Sequence, residues 1–163
     1  MTATTLVLGG AASGKSRYAE SLFDGPAVYI ATAEAGDAEM ADRIARHRAR
    51  RGPCWTTVEA PCRLPEALAN ARDIPALADC LTLWLSNALV AGREPDTEAL
   101  LAAVVGRNRQ TVLVSNETGM GLVPSTPLGR RFRDAQGQLN AEVARVADRV
   151  VFVAAGLPLV LKP

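Results

Sequence analysis

The sequence is poor in the residues that build metal centres and disulfide frameworks. It has one histidine, His47, and three cysteines, Cys54, Cys62 and Cys80, with no CxxC pair among them. A structural zinc ion takes four Cys or His ligands, and disulfide frameworks usually use an even number of cysteines. We therefore expect no structural zinc site, and we expect reduced thiols in a cytoplasmic protein.

Long apolar runs and an excess of one charge are also missing. The longest apolar runs, such as residues 150–161, are shorter than the roughly 20 residues that span a bilayer. The first residues lack the basic segment and cleavage pattern of a signal peptide. The formal net charge is +1 and aromatic residues make up 4% of the chain, which argues against a nucleic-acid-binding surface. The sequence therefore predicts neither a membrane span nor a nucleic-acid partner.

Short β-rich segments alternate with helical segments along the chain. With 163 residues, 48% of them hydrophobic, the chain is long enough for one domain with a substantial core. Apolar strands that alternate with helices predict an α/β fold of three layers, with a mostly parallel central sheet and an antiparallel C-terminal strand, in a single domain over 1–163. The predicted strands are 4–10, 27–32, 55–59, 75–81, 110–117, 149–156 and 157–162, and the predicted helices are 15–23, 37–52, 63–71, 81–92, 96–106 and 126–148.

A glycine-rich segment between the first strand and the first helix has the spacing of a phosphate-binding loop. Gly9, Gly14, Lys15 and Ser16 form the pattern G-x-x-x-x-G-K-S in the strand–loop–helix context that makes it specific. Loop N–H groups contact phosphate oxygens, the lysine neutralises them, and the serine hydroxyl is a Mg²⁺ ligand. The pattern predicts a P-loop NTPase fold of the RecA-like type, with nucleotide contacts from Gly9, Gly10, Ala11, Ala12, Ser13, Gly14, Lys15 and Ser16.

A carboxylate at the end of a neighbouring strand usually completes such a magnesium site. Asp79, at the end of "PALAD", fits this role, although it could instead cap the helix that follows. Glu59 and Glu117 also end predicted strands, at the sheet edge where ligands of α/β proteins collect. We predict Ser16 and Asp79 as Mg²⁺ ligands, and the other two carboxylates stay open between site residues and loop residues.

The single histidine lies in an arginine-rich helix, "RIARHRARR" (43–51). Met40, Ile44, His47 and Arg51 share one stripe of the predicted helix, which places His47 at the end of a buried face. Positive neighbours favour the neutral, nucleophilic form of an imidazole and attract a polyphosphate. His47 is therefore either a nucleophile towards phosphorus or a packing residue of a surface helix, and its spacing alone does not decide between the two.

Several segments, taken together and in order, resemble one enzyme family over essentially the whole chain. They are "GGAASGKSRYAE" (9–20), "YIATA" (29–33), "DAEMADRIARHRARRG" (37–52), "DCLTLWLSN" (79–87), "VSNETGMGLVPSTPLGRRFRDAQGQLNAEVARVAD" (114–148) and "GLPLVLK" (156–162). The chain is similar to the bifunctional adenosylcobinamide kinases/adenosylcobinamide-phosphate guanylyltransferases of cobalamin biosynthesis. The family usually has arginine at the position of Ala12, which removes one possible phosphate contact here.

The resemblance implies two reactions and a set of site residues. A nucleoside triphosphate, ATP or GTP, phosphorylates adenosylcobinamide, and GTP then transfers GMP to adenosylcobinamide phosphate, giving adenosylcobinamide-GDP and pyrophosphate. The resemblance implies that His47 carries the GMP, that Lys15 acts in catalysis, that Mg²⁺ is the cofactor and that the protein is a homotrimer. Further nucleotide contacts implied by it are Ala31, Thr32, Ala33, Arg48, Arg50, Arg51, Glu59 and Asp79.

Two other readings of the sequence compete with this one. The first is a P-loop kinase of another small metabolite, in which His47 is structural. The second is a nucleotide-dependent switch or binding protein whose arginine helix docks a partner. Labelling by the α-phosphate of GTP separates the readings, because only the family reading predicts a covalent adduct at His47.

Overall fold

The computed structural model describes residues 3–34, 36, 38–50 and 52–163. In its second helix the side chains of Glu39, Met40, Arg43, Arg46, His47 and Arg50 lie outside that description. The strands are β1 Thr4–Gly9, β2 Ala27–Ala31, β3 Trp55–Glu59, β4 Ala76–Asp79, β5 Thr111–Asn116, β6 Arg149–Ala154 and β7 Leu157–Lys162. The helices are α1 Lys15–Glu20, α2 Ala38–Arg50, α3 Leu64–Asn70, α4 Leu81–Val90, α5 Thr97–Val105 and α6 Pro127–Val146.

The seven strands form one sheet in the order β3-β2-β4-β5-β1-β6-β7. All neighbouring pairs are parallel except β6 and β7, which are antiparallel. This confirms the predicted α/β class with a mostly parallel sheet and an antiparallel C-terminal strand. Strand β5 lies between β1, which leads into the glycine-rich loop, and β4, which ends at Asp79. The carboxyl ends of these three strands therefore meet at one edge of the sheet.

Helices cover both faces of the sheet, as the alternation of side chains along β1 illustrates. Leu6 and Leu8 pack with the buried residues of α3, α4, α5 and α6, whereas Val7 packs on the other face with Ala19 of α1. Leu6 and Val7 are fully buried, and burying such side chains stabilises the fold by roughly 1.5–3 kcal/mol each. The predicted three-layer arrangement is confirmed.

The two edge strands depart from the expectation that strands are apolar and covered on both faces. Residues of β3 are partly or fully exposed, and every residue of β7 is exposed, including Leu157, Leu159 and Leu161. An edge strand has a partner on one side only, so its sequence is less constrained by burial. Lys162 ends β7 by donating hydrogen bonds to the carbonyls of Ala144, Arg145 and Ala147, at the C-terminus of α6. That contact gives Lys162 a structural role.

Helix ends differ from the predictions by a few residues, for local reasons. The first helix ends at Glu20 rather than 23, because Leu22 and Phe23 continue with i→i−3 hydrogen bonds to Ala19 and Glu20. Position 37, the predicted start of α2, lies outside the described residues. Among the described residues, the structure contains no helix that combines the length and apolar character needed to cross a bilayer.

Candidate active site

A cavity of about 630 Å³ opens at the carboxyl edge of the sheet. Its volume lies in the usual range for small-molecule sites. The ends of β2, β3, β4 and β5 contribute to it, and the beginning of α1 and the middle of α2 complete it. The lining residues are Lys15, Ser16, Tyr29, Ala31, Ala33, Glu34, Gly36, Ile44, Arg48, Thr57, Glu59, Pro61, Asp79, Cys80, Leu83 and Asn116.

The glycine-rich loop folds tightly between β1 and α1. Gly14 has a φ of 92°, a left-handed conformation that glycine adopts without strain, and Ala12 has a φ of 54°. The buried Lys15 ammonium donates a hydrogen bond of 2.9 Å to the Gly10 carbonyl oxygen. The lysine is thus held over the loop, in position to meet phosphate oxygens.

The turn between β6 and β7 supports the loop from behind. The Gly156 N–H donates a hydrogen bond of 2.8 Å to the Ser13 carbonyl oxygen. A Cβ at Gly14 would lie 3.2 Å from the Gly156 Cα, and one at Gly9 would lie 2.6 Å from the Val153 carbonyl oxygen. The loop therefore packs directly on the hairpin, and its end glycines have no room for a side chain.

Asp79 is the last residue of β4 and belongs to the cavity. The buried Tyr29 phenol donates a hydrogen bond of 2.5 Å to Asp79 Oδ2. The alternative reading of Asp79 as a helix cap is wrong, because Cys80 occupies the N-cap position of α4. The carboxylate is instead oriented by a phenol on the neighbouring strand.

Thr32 lies behind this segment and braces it. Its hydroxyl donates to the Cys80 carbonyl oxygen and accepts from the Cys80 N–H, both at 2.7 Å. Its own N–H donates to the Asp79 carbonyl oxygen at 3.1 Å. Thr32 is fully buried, and the structure does not bring it to the surface of the cavity.

Cys80 belongs to the cavity lining, and its thiol is buried and protonated at neutral pH. Burial, and secondarily the charge of Asp79, raises the pKa of Cys80 from 9.0 to about 11. A thiol is nucleophilic as the thiolate, so at neutral pH Cys80 is a weak nucleophile. Among the cavity residues it acts as a small, uncharged neighbour of Asp79.

Helix α2 borders the same cavity as the phosphate loop. Ile44 and Arg48, one turn apart, both line it, and Arg48 forms an ion pair of 3.6 Å with Glu59 at the end of β3. Both partners of this pair are exposed, so the pair contributes little stability. The contact nevertheless places α2 beside the carboxyl edge of the sheet, next to the cavity. His47 precedes Arg48 in this helix, and its side chain lies outside the described part of the chain.

The structure brings seven of the seventeen predicted site residues to the lining of the cavity. Those that line it are Lys15, Ser16, Ala31, Ala33, Arg48, Glu59 and Asp79. Gly9, Gly10, Ala11, Ala12, Ser13 and Gly14 form the loop beside it. Arg51 lies outside the described residues, as do the side chains of His47 and Arg50. Glu117 follows β5 and accepts a hydrogen bond from the Gly119 N–H at 2.6 Å, without lining the cavity.

The donor set fits a magnesium ion that binds together with a nucleotide. No group of three Asp, Glu, His or Cys residues among the described residues could hold a metal. Mg²⁺ commonly takes only one or two protein ligands and completes its shell with phosphate oxygens and water. Ser16 and Asp79, both at the cavity, are oxygen donors of this kind. The site therefore suits a metal delivered with phosphates and not a preformed protein cage.

Two polar residues at the cavity were missed by sequence reasoning. Tyr29 lies within the strand "AVYIA", where its aromatic ring reads as core, and Asn116 was passed over in favour of Glu117. A signal was available for Asn116, because a polar residue at the carboxyl end of an apolar strand lies at the ligand edge of an α/β sheet. The contact of Tyr29 with Asp79 depends on the pairing of β2 with β4. That pairing follows from the order of the strands in the sheet, which the sequence does not show.

Comparison with known proteins agrees with this site. The family model described as CobU, cobinamide kinase / cobinamide phosphate guanyltransferase, matches residues 5–161. A relative from Pseudomonas aeruginosa, the bifunctional adenosylcobalamin biosynthesis protein CobP, is 48% identical, with 96% of each chain covered. The bifunctional adenosylcobalamin biosynthesis protein CobU of Salmonella typhimurium is 40% identical, over 96% of this chain and 98% of the relative.

Among solved structures, the P4 protein of bacteriophage φ6 in complex with ADP has a TM-score of 0.49 and 12% identity. The match covers 96% of this chain and 52% of the P4 chain. The family match and the two relatives confirm the resemblance read from the sequence. The chain therefore belongs to the cobinamide kinase / cobinamide phosphate guanyltransferase family and is an enzyme with these two activities.

Proposed function

We propose that this enzyme carries out both reactions at the one nucleotide cavity, as a step of cobalamin biosynthesis. In the first, ATP or GTP phosphorylates adenosylcobinamide. In the second, GTP gives its GMP part to adenosylcobinamide phosphate. The observation that carries the proposal is the shared cavity: Lys15 of the phosphate loop and Arg48 of the histidine-bearing helix line the same space.

In the kinase step the chain acts mainly by positioning. The loop from Gly9 to Gly14 surrounds the phosphates with N–H groups, and Lys15 carries the positive charge that meets their oxygens. The Lys15 ammonium has three N–H donors, so it can meet phosphate oxygens while it also bonds the Gly10 carbonyl oxygen. The transferred phosphoryl group is then presented to the substrate hydroxyl at the open side of the cavity.

In the guanylyl transfer we assign the nucleophile to His47. An imidazole nitrogen forms a bond to the α-phosphorus while the bond from that phosphorus to the pyrophosphate oxygen breaks. The phosphate of adenosylcobinamide phosphate then displaces the histidine and takes the GMP. Arg48, Arg50 and Arg51 supply positive charge for the nucleotide phosphates. Ala31, Ala33 and Glu59 form the surroundings of the nucleotide, and the buried Thr32 supports them from behind through its bonds to Cys80.

Magnesium fits this proposal as a cofactor. The Ser16 hydroxyl and the Asp79 carboxylate would hold Mg²⁺, which when bound offsets the negative charge of the phosphate oxygens. Tyr29 keeps the Asp79 carboxylate oriented towards the cavity through its hydrogen bond.

The remaining features of the proposal concern the whole protein. We propose one nucleotide-binding domain over residues 1–163, supported by the single sheet that includes β1 and β7. A homotrimer is supported by the family resemblance and by exposed apolar side chains on β7, which an assembly would cover. A cytoplasmic location is supported by the free thiols of Cys54, Cys62 and Cys80.

Loss of the lysine in the phosphate loop tests whether one site serves both reactions. For Lys15→Ala we expect both activities to fall by at least about a hundredfold, measured separately with adenosylcobinamide and with its phosphate, because each needs charge on the nucleotide phosphates. The only other lysine gives the matched control: Lys162→Ala removes contacts to α6 and should keep both activities. Guanylyl transfer at the normal rate in Lys15→Ala would show that the two reactions use different sites.

A further inference from the structure

Asn116 occupies a position between the two elements that hold phosphate and metal. It ends β5, where it pairs in register with Gly9, the first residue of the phosphate loop. On the other side of β5, Asp79 pairs with Val114, so Asn116 extends two residues beyond the level of Asp79. Asn116 lines the cavity together with Lys15 and Ser16.

The peptide groups of Asn116 are fixed by side chains from two helices. Its N–H donates a hydrogen bond of 2.8 Å to the Thr82 hydroxyl of α4. Its carbonyl oxygen accepts a hydrogen bond of 3.0 Å from the Asn140 amide of α6. The next N–H, of Glu117, donates to the Gly9 carbonyl oxygen at 3.0 Å. The end of β5 is therefore held rigidly relative to the phosphate loop.

A buried polar cluster holds Asn140 in place. The Ser115 hydroxyl donates to Asn140 Oδ1 at 2.6 Å, and Gln136 Nε2 donates to the same oxygen at 2.9 Å. Ser115 and Gln136 are fully buried, and Asn140 is 5% exposed. This cluster lies where α6 packs on an otherwise apolar core. Its result is that one amide N–H of Asn140 is directed at the Asn116 carbonyl oxygen.

The carboxamide of Asn116 is left for a ligand. Within the part of the chain that the structure describes, its two peptide groups are bonded as above, and no residue hydrogen-bonds its side chain. In sites with a phosphate loop, the loop holds the inner phosphates and the lysine reaches the outer ones. Asn116 lines the same cavity as Lys15 and ends the strand between the one that leads into the loop and the one that ends at Asp79. From this position a neutral amide donor can meet the same outer phosphate as the lysine.

We propose that the Asn116 carboxamide donates a hydrogen bond to the terminal phosphoryl group of the bound nucleoside triphosphate, and that Thr82 and Asn140 position it for this contact. The inference rests on the proposed nucleotide site and adds a residue that distinguishes triphosphate from diphosphate. Asn116 would thus favour binding of the substrate nucleotide over the product nucleotide of the kinase step.

The affinities for GTP and GDP, measured by calorimetry with Mg²⁺ and without corrinoid, test the proposal. A His47→Asn background prevents consumption of the GTP. Adding Asn116→Ala should lower the ratio of GTP affinity to GDP affinity at least about tenfold, because the variant loses a hydrogen bond to a charged group. The affinity for GDP should change less than about twofold. Asn108→Ala is the matched control, because Asn108 bonds Asp73 at the opposite edge of the sheet and should leave the ratio unchanged.

A separate variant tests whether Asn140 positions Asn116. Asn140→Asp keeps the size and both accepted hydrogen bonds of the side chain, but its carboxylate cannot donate to the Asn116 carbonyl oxygen. We expect the ratio to fall in this variant too, by less than in Asn116→Ala, and thermal unfolding checks that the protein remains folded. If Asn116→Ala weakens the binding of GTP and of GDP equally, or leaves both affinities unchanged, the inference is wrong. Either result leaves the proposed nucleotide site intact. Absence of GTP binding before the substitution overturns the nucleotide site itself.

Discussion

The Tyr29 phenol donates a hydrogen bond of 2.5 Å to the carboxylate of Asp79. The two residues lie on neighbouring parallel strands, with Ala31 opposite Asp79, so Tyr29 reaches across from two residues earlier on β2. The ring of Tyr29 packs edge-on against Trp55, at 5.9 Å between ring centroids. The phenol is therefore held by packing at one end and orients the acidic residue of the nucleotide cavity at the other.

Removing this hydroxyl should affect catalysis more than folding. For Tyr29→Phe, which keeps the aromatic packing, we expect kcat for both reactions to fall roughly tenfold and unfolding free energy to fall by about 1 kcal/mol. The chain's other tyrosine supplies the control, since Tyr18→Phe changes a residue outside the cavity lining and should keep kcat. Unchanged kcat in Tyr29→Phe would mean that the orientation of Asp79 does not limit either reaction.

The two glycines that begin the phosphate loop should differ in how much stability an added methyl group costs. In Gly9→Ala the new Cβ would lie 2.5 Å from Ser13 Oγ and 2.6 Å from the Val153 carbonyl oxygen, so backbone must move. We expect a loss of about 1–3 kcal/mol of unfolding free energy. At Gly10 no atom lies within 4 Å of the added Cβ, so Gly10→Ala should lose less than about 1 kcal/mol. Chemical denaturation compares the two, and equal losses would contradict the packing of the loop on β6.

Cys80 should differ from the other two cysteines in its reactivity. Cys54 and Cys62 are exposed, whereas Cys80 is buried and its pKa is raised to about 11. With a thiol reagent near pH 8 we expect two thiols to react quickly and Cys80 to react only when the protein opens or unfolds. Peptide mapping of the labelled sites makes the measurement. Rapid labelling of Cys80 in the folded protein would show that the thiol is accessible and ionised.

The same raised pKa predicts a direction for stability at high pH. Between pH 9.0 and about 11, folded Cys80 keeps a proton that the unfolded chain has released. The free energy of unfolding therefore falls as pH rises through this interval. Below pH 9 the stability that depends on the protonated Cys80 is fully present. Cys80→Ala should make the decline shallower, as measured by unfolding free energy against pH. An identical slope in the variant would remove Cys80 from the explanation.

The sequence predicted well those features that depend on local pattern. The spacing of Gly9, Gly14, Lys15 and Ser16 requires only a strand before it and a helix after it, and both are present. Asp79 was predicted at a strand end for the same reason. Contacts between distant segments were not predictable, because the bond of Tyr29 to Asp79 depends on strand order and the link from Asn140 to Asn116 depends on how α6 packs. For His47, the family resemblance gave a role that residue spacing had left undecided.

Covalent labelling shows whether His47 of α2 attacks a nucleotide that is bound at the phosphate loop. The protein is incubated with Mg²⁺ and GTP labelled at the α-phosphate, then denatured, and label retained on the chain is measured. We expect an adduct that is labile in acid and stable in base, and that is absent in His47→Asn. No label should be retained from GTP labelled at the γ-phosphate. Retention of the α-label in His47→Asn would contradict the account.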